Sequence, residues 1–171
     1  MLSFFKWHRA SCPAVLAFTL MYSTWPVHAQ QLNDRQALAG LTEVKVAFDL
    51  NVGDGKALLN RLNVIDETRR SLIAQGVKPH VVVAFRGGAT RLVQTDIEKV
   101  RPEDRAELVK IAEKIREMSE APGVQAIEQC SVAIRQQGTA ADKVLSQIKV
   151  VGNTWISLMA YQAKGYAYIA P

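Results

Sequence analysis

Two short stretches of this 171-residue chain carry groups able to do chemistry: Cys130, at the end of the run Val124 to Gln129, and Arg86-Gly87-Gly88, directly after Val81-Val82-Val83-Ala84-Phe85. A cysteine at the junction of a strand and a helix sits where the positive end of the helix dipole favours the thiolate, which is the nucleophilic form. In open α/β sheets, ligands gather at the carboxyl ends of the strands, and that is where this thiol falls. Arg135 would assist ionisation if the following helix turns it inward, and Glu128 would oppose it at close range. The plain alternative is a buried, inert thiol, since free cysteine is among the most buried residue types. Position alone leaves both readings open.

The glycines of Arg86-Gly87-Gly88 would let a backbone or a small anion come close, with Arg86 as a fixed positive charge, although such glycines also simply make strand-to-helix turns. Gly53-Asp54-Gly55-Lys56 invites a phosphate-loop reading, which the details oppose. Leu50 stands where the first glycine would fall, Ala57 where the magnesium-binding hydroxyl belongs, and Leu58 where a dinucleotide fingerprint needs its third glycine. A small-molecule or nucleotide binder through this turn therefore ranks last, and no cofactor is expected. His80 lies at the entry to an apolar strand with no second histidine and reads as a packing or edge residue.

The first 29 residues read differently from the rest. Lys6, His8 and Arg9 precede an apolar run from Cys12 to Trp25 that ends in Pro26-Val27-His28-Ala29. This is the layout of a secretory signal peptide with cleavage near Ala29, and the run is shorter than the roughly 20 residues a bilayer-spanning helix needs. The expected location is the periplasm, with no membrane attachment after processing. Removal of this segment takes the basic side chains from 21 to 19 against 16 acids, a net charge of +3. The bases are interleaved with acids and form no block, so no nucleic-acid partner is expected. Processing also leaves Cys130 and His80 alone of their kinds, too few ligands for a zinc site and too few thiols for an internal disulfide.

Five strands and the helices between them must position these groups. Residues 30 to 43 are a polar lead-in. Val44 to Leu50 mixes β-branched and aromatic residues with polar ones and runs into a turn at Asn51 to Gly55, the first strand. From Lys56 to Gln75, Leu58, Leu62, Ile65 and Leu72, with Leu59 and Ile73 beside them, paint one helical face, which Gly76 ends. The apolar run Val81 to Phe85 implies burial on both faces, as in a parallel sheet. A short helix is expected at Ala89 to Gln94, and Pro102 opens a longer one with a stripe of Leu108, Ile111, Ala112, Ile115 and Met118. After the strand that leads to Cys130 come a short helix at Val132 to Gln137, a strand at Ile148 to Val151, a helix over residues 153 to 164 and a last strand at Tyr166 to Ile169. This alternation predicts an α/β fold with a mostly parallel sheet covered on both faces.

The segment Ile127-Glu128-Gln129-Cys130 with its short helix resembles the cysteine-bearing region of DsrE-like sulfur-relay proteins. The ending, Trp155-Ile156, Leu158, Gln162 and then Gly165-Tyr166-Ala167-Tyr168-Ile169-Ala170-Pro171, is similar to the closing helix and tail of that family. The first strand with its Leu62-Asn63 helix and the Ala84-Phe85 strand fall in the same order, so the likeness spans residues 44 to 171. The resemblance implies a flavodoxin-like three-layer sandwich assembled into a homo-oligomer, a trimer or hexamer, whose cysteine carries sulfane sulfur as a persulfide between partner proteins. The relay members of that family are cytoplasmic, whereas an export signal is expected here. With no second cysteine, an exchange must use another protein's thiol.

The expectation is thus a periplasmic sulfur carrier or sulfurtransferase in which Cys130 is the catalytic thiol and Arg86, Gly87, Gly88 and Arg135 hold the substrate. Its rival is a non-catalytic oligomeric binding protein using the same strand-end cleft, with Cys130 as filler.

Overall fold

The computed structural model describes residues 33–171; the expected signal segment, with Cys12 and His28, lies outside the described residues. From Asp34 onward the chain forms one compact unit. Its five strands, β1 (Glu43–Leu50), β2 (Lys78–Phe85), β3 (Val124–Cys130), β4 (Lys149–Val151) and β5 (Ala167–Ile169), alternate with α1 (Gly55–Ala74), α2 (Leu108–Ser119), α3 (Ser131–Gln137) and α4 (Thr154–Ala163). Every strand pair is parallel, and the order across the sheet is β4-β3-β2-β1-β5. This is a flavodoxin-like α/β sandwich. Three crossovers march in one direction from β1 to β4, and the last returns across the sheet to set β5 beside β1.

That return divides the helices between the two faces. On one face the stripes of α1 (Leu58, Leu62, Ile65) and α2 (Ile111, Ile115, Met118) meet Val46, Phe48, Leu50, Val81, Val83, Phe85 and Ile127 in the main core. On the other, Leu158 of α4 covers a smaller cluster of Ala47, Val82 and Ala84. Fully burying one such Val, Leu or Phe contributes about 1.5–3 kcal/mol, so most of the stabilisation lies on the α1–α2 side. The small residues opposite let α4 lie close to the sheet.

Two expected helices take tighter forms. Gly87–Leu92 is a 3-10 helix, and Pro102–Glu107 is a 3-10 segment leading into α2. The second has a visible cause. Asp104 accepts the Gly55 amide at 2.7 Å while Arg101 donates to the Gly53 carbonyl at 2.9 Å, which ties this segment to the loop between β1 and α1. Ile73, expected beside the buried face of α1, is exposed, and Asp66 and Arg69 are buried there as an ion pair at 2.8 Å.

Candidate functional site around Cys130

Side chains alternate across a strand, and that periodicity selects the site. Val46, Phe48 and Leu50 of β1 point into the main core, so Asp49 points to the α4 face; in β3, Ile127 faces the core and Cys130 falls on the opposite side with Glu128. Phe85 of β2 pairs with Gln129 and Leu50 with Phe85, which brings Arg86 level with Cys130 at the carboxyl ends of the strands. Parallel register thus gathers three residues that are distant in the chain.

The Arg86 guanidinium is fixed. Its Nε donates to both oxygens of Asp49 at 2.7 and 3.1 Å, and Nη2 to Oδ2 at 2.8 Å. The Tyr168 hydroxyl of β5 donates to the same Oδ2 at 2.7 Å. The Asp49 hydrogen bonds raise the Arg86 pKa further above its already high value, so the group stays charged. Nη1 has no hydrogen-bond partner among the described residues. The guanidinium carbon lies 5.7 Å from the Trp155 ring centroid, within cation–π range.

Cys130 is 4% exposed and lines a cavity of about 160 Å³ with Arg86, Gly87, Val132, Ala133, Gln136, Asn153, Thr154 and Trp155. The mouth of α4 is brought to it by two local bonds. Asn153 caps α4 by accepting the Trp155 amide at 3.0 Å, and Ser131 donates to the Gly152 carbonyl at 2.8 Å, joining the corner after β3 to the corner after β4. Burial pushes the thiol up. The Thr154 and Ala133 amides, the Thr154 hydroxyl and the Val132 amide together outweigh it, and the pKa is held below the ordinary thiol value. Thr154 is fully buried, and its Oγ1 makes no hydrogen bond; it is close enough to Sγ to favour the anion without reaching hydrogen-bond geometry.

Of the residues singled out in the sequence, Cys130, Arg86 and Gly87 come together at this cavity. Arg135 does not reach it. It is exposed and turns back along α3 to donate to Ser131 at 3.4 Å, because its place on the helix points it to solvent. Gly88 does not line the cavity either; its Cα packs on the Gly53 backbone, where a Cβ would stand 2.7 Å from the Gly53 Cα. That contact and two carboxylates also close the Gly53–Lys56 turn to an anion, since Asp54 takes the Ala57 amide at 2.7 Å and Asp104 takes that of Gly55. His80 lies 3.1 Å from Glu43 at the amino ends of β2 and β1, the edge of the sheet away from the cavity.

No family profile matches the chain. An uncharacterized protein of Aquifex aeolicus (strain VF5) is 26% identical over 126 residues, 74% of this chain and 55% of the relative, so the chain spans about half of that relative's length. The solved structure of a protein of unknown function from Methanobacterium thermoautotrophicum superposes with a TM-score of 0.57 at 21% identity, over 75% of this chain and 99% of that one. The shared property is the fold.

Asp49, Thr154, Trp155 and Tyr168 are parts of the site that the sequence did not mark as site residues, although Trp155 and Tyr168 belong to the stretch that carries the resemblance. Asp49 left a signal: a carboxylate in the apolar half of a strand, between Phe48 and Leu50, must find a partner or meet a steep desolvation cost. Thr154 left none.

Proposed function

We propose that this chain is a DsrE-like sulfur carrier whose working group is the Cys130 thiolate. The observation that carries the reading is the coincidence of a thiol with lowered pKa and a small cavity at the carboxyl end of a parallel sheet. A thiolate able to exchange sulfur must be ionised and accessible, and the cavity is the route of access to Cys130. In the loading step Sγ attacks the outer sulfur of a persulfide donor, the donor's S–S bond breaks, and the donor leaves as a thiolate. Cys130 then holds the sulfur as a persulfide anion. An acceptor thiolate from another protein attacks that outer sulfur and returns Cys130 to the thiolate, so no net oxidant is required. The amides of Thr154, Ala133 and Val132 favour the anionic form at Sγ.

Export to the periplasm is part of the same proposal and rests on residues 1 to 29. Assembly into a homo-oligomer is supported by the apolar side chains that α4 and β5 leave exposed, Trp155, Ile156, Met159, Tyr168 and Ile169.

The test is intact-mass measurement of the reduced full chain after brief exposure to inorganic polysulfide. The expected result is one or more sulfur atoms added to the wild type and none to Cys130→Ser. A wild type that takes up no sulfur while folded, yet becomes modified once unfolded, would establish Cys130 as filler and favour a non-catalytic binding protein.

A further inference from the structure

The cavity has more recognition chemistry than a thiol alone requires. Its lining is part apolar, from Val132, Ala133 and Trp155, and part cationic, from Arg86, whose guanidinium carbon lies 5.7 Å from the Trp155 ring centroid. Asp49 occupies the Nε and Nη2 edge of that guanidinium and leaves Nη1 without a partner among the described residues. Beside Sγ, the Thr154 hydroxyl is fully buried and unpartnered, although a hydroxyl withdrawn from water without a hydrogen bond is destabilising by about 1–3 kcal/mol. Arg86, with one nitrogen left over, and Thr154, with an unbonded hydroxyl near Sγ, line the same void as Cys130.

We infer that the cavity is a subsite for a small thiosulfonate-type anion, such as thiosulfate, held by its oxygens with the outer sulfur at Cys130. This deepens the sulfur-carrier reading and rests on it. Size fits: a void of about 150 Å³ admits a benzene-sized molecule, and this one measures about 160 Å³, so a single small anion has room in it. The charge of Arg86 is largely balanced by Asp49. Recognition therefore comes from directed donors, Arg86 Nη1 and Thr154 Oγ1, rather than from net positive charge, and charged hydrogen bonds of this kind are the stronger class. The apolar part of the lining suits the sulfur, which is weakly hydrated.

The step balances without a co-reactant. The Cys130 thiolate attacks the outer sulfur of thiosulfate, the Sγ–S bond forms, the S–S bond of thiosulfate breaks, and its electron pair leaves on sulfite. Charge is conserved, with a persulfide anion and sulfite replacing a thiolate and thiosulfate.

Two measurements on the full chain test this. Reduced wild type mixed with thiosulfate is expected to gain one sulfur atom at Cys130 and release sulfite in equal amount. Calorimetric titration of the unreactive Cys130→Ser chain with thiosulfate is expected to show saturable binding, weakened about tenfold or more in Cys130→Ser carrying Thr154→Val or Arg86→Lys, the loss due to one donor. Thr154→Val removes a hydroxyl that bonds nothing and keeps the shape, so it carries the test if the Arg86 variant does not fold. Loading from polysulfide but not from thiosulfate, with no saturable binding, overturns the subsite and leaves the carrier. Loading from neither donor overturns both, and binding indifferent to both substitutions places the anion elsewhere and also overturns the subsite.

Discussion

Asp49 and Arg86, 37 residues apart, meet through three hydrogen bonds across adjacent strand ends, with the carboxylate almost fully buried and the guanidinium about a quarter exposed. Neither residue makes structural sense alone. A buried carboxylate needs a fixed cation, and a guanidinium beside Trp155 needs something to hold its plane.

Removing one partner should therefore cost more than removing both. Asp49→Ala is expected to lower unfolding stability by about 2–4 kcal/mol, somewhat under the range for a fully buried pair because water reaches Arg86. Asp49→Ala combined with Arg86→Met should recover part of that loss, and Tyr168→Phe, which removes one donor only, should cost about 1 kcal/mol. Urea unfolding monitored by circular dichroism checks the three values. A double variant less stable than Asp49→Ala would show that the pair is favourable beyond the penalty of leaving one charge unmatched.

The lowered pKa of Cys130 has a pH signature of definite sign. A group whose folded pKa lies below its unfolded value binds fewer protons when folded, so it adds stability that is complete above the unfolded thiol value of about 8.5 and is lost as pH falls through the folded value. Wild type minus Cys130→Ser should therefore show a stability difference that rises with pH through this window. The alkylation rate of the folded chain should reach half its maximum at a lower pH than that of the unfolded chain, and Thr154→Val should move that midpoint upward. A midpoint above the free-thiol value would mean that burial wins over the amides.

Gly88 answers to packing rather than to ligand. Its backbone is not left-handed, yet an added Cβ would stand 2.7 and 2.9 Å from backbone atoms of Gly53, which have nowhere to go. Gly88→Ala is expected to destabilise by about 1–3 kcal/mol, the usual cost of overpacking, whereas Gly152→Ala, with open space around it, should stay within about 0.5 kcal/mol. Thermal melts of the two variants separate the cases.

The local elements were legible because local rules make them. The stripe of α1 and the apolar run of β2 each lie within a few residues of where periodicity puts them, and Gly138 and Gly165 end their helices in left-handed backbone at φ 62° and 84°. Harder to read were the segments whose form depends on distant partners. Pro102 to Glu107 tightens into a 3-10 segment because Asp104 answers to Gly55, 49 residues away. Arg135 looked suitable as a helper because it follows Cys130 closely, and a helix of 100° per residue turned it outward. Thr154 gave no sign, since nothing in a threonine before a tryptophan says that a strand crossover will carry it to a thiol 24 positions earlier.

By itself the amino-acid sequence determined the class of fold and the presence of a single thiol at a strand end within residues 44 to 171, because periods of 2 and 3.6 and the preferences of glycine and proline act over neighbours. Only tertiary structure decided the surroundings of that thiol. Strand register set Arg86 level with Cys130, the return of the last crossover placed α4 over them, and the amides of Thr154, Ala133 and Val132 with the nearby Thr154 hydroxyl lowered the thiol pKa against the effect of burial. Electrostatics and hydrogen bonding act through space at a few ångströms, and sequence separation carries no measure of that distance.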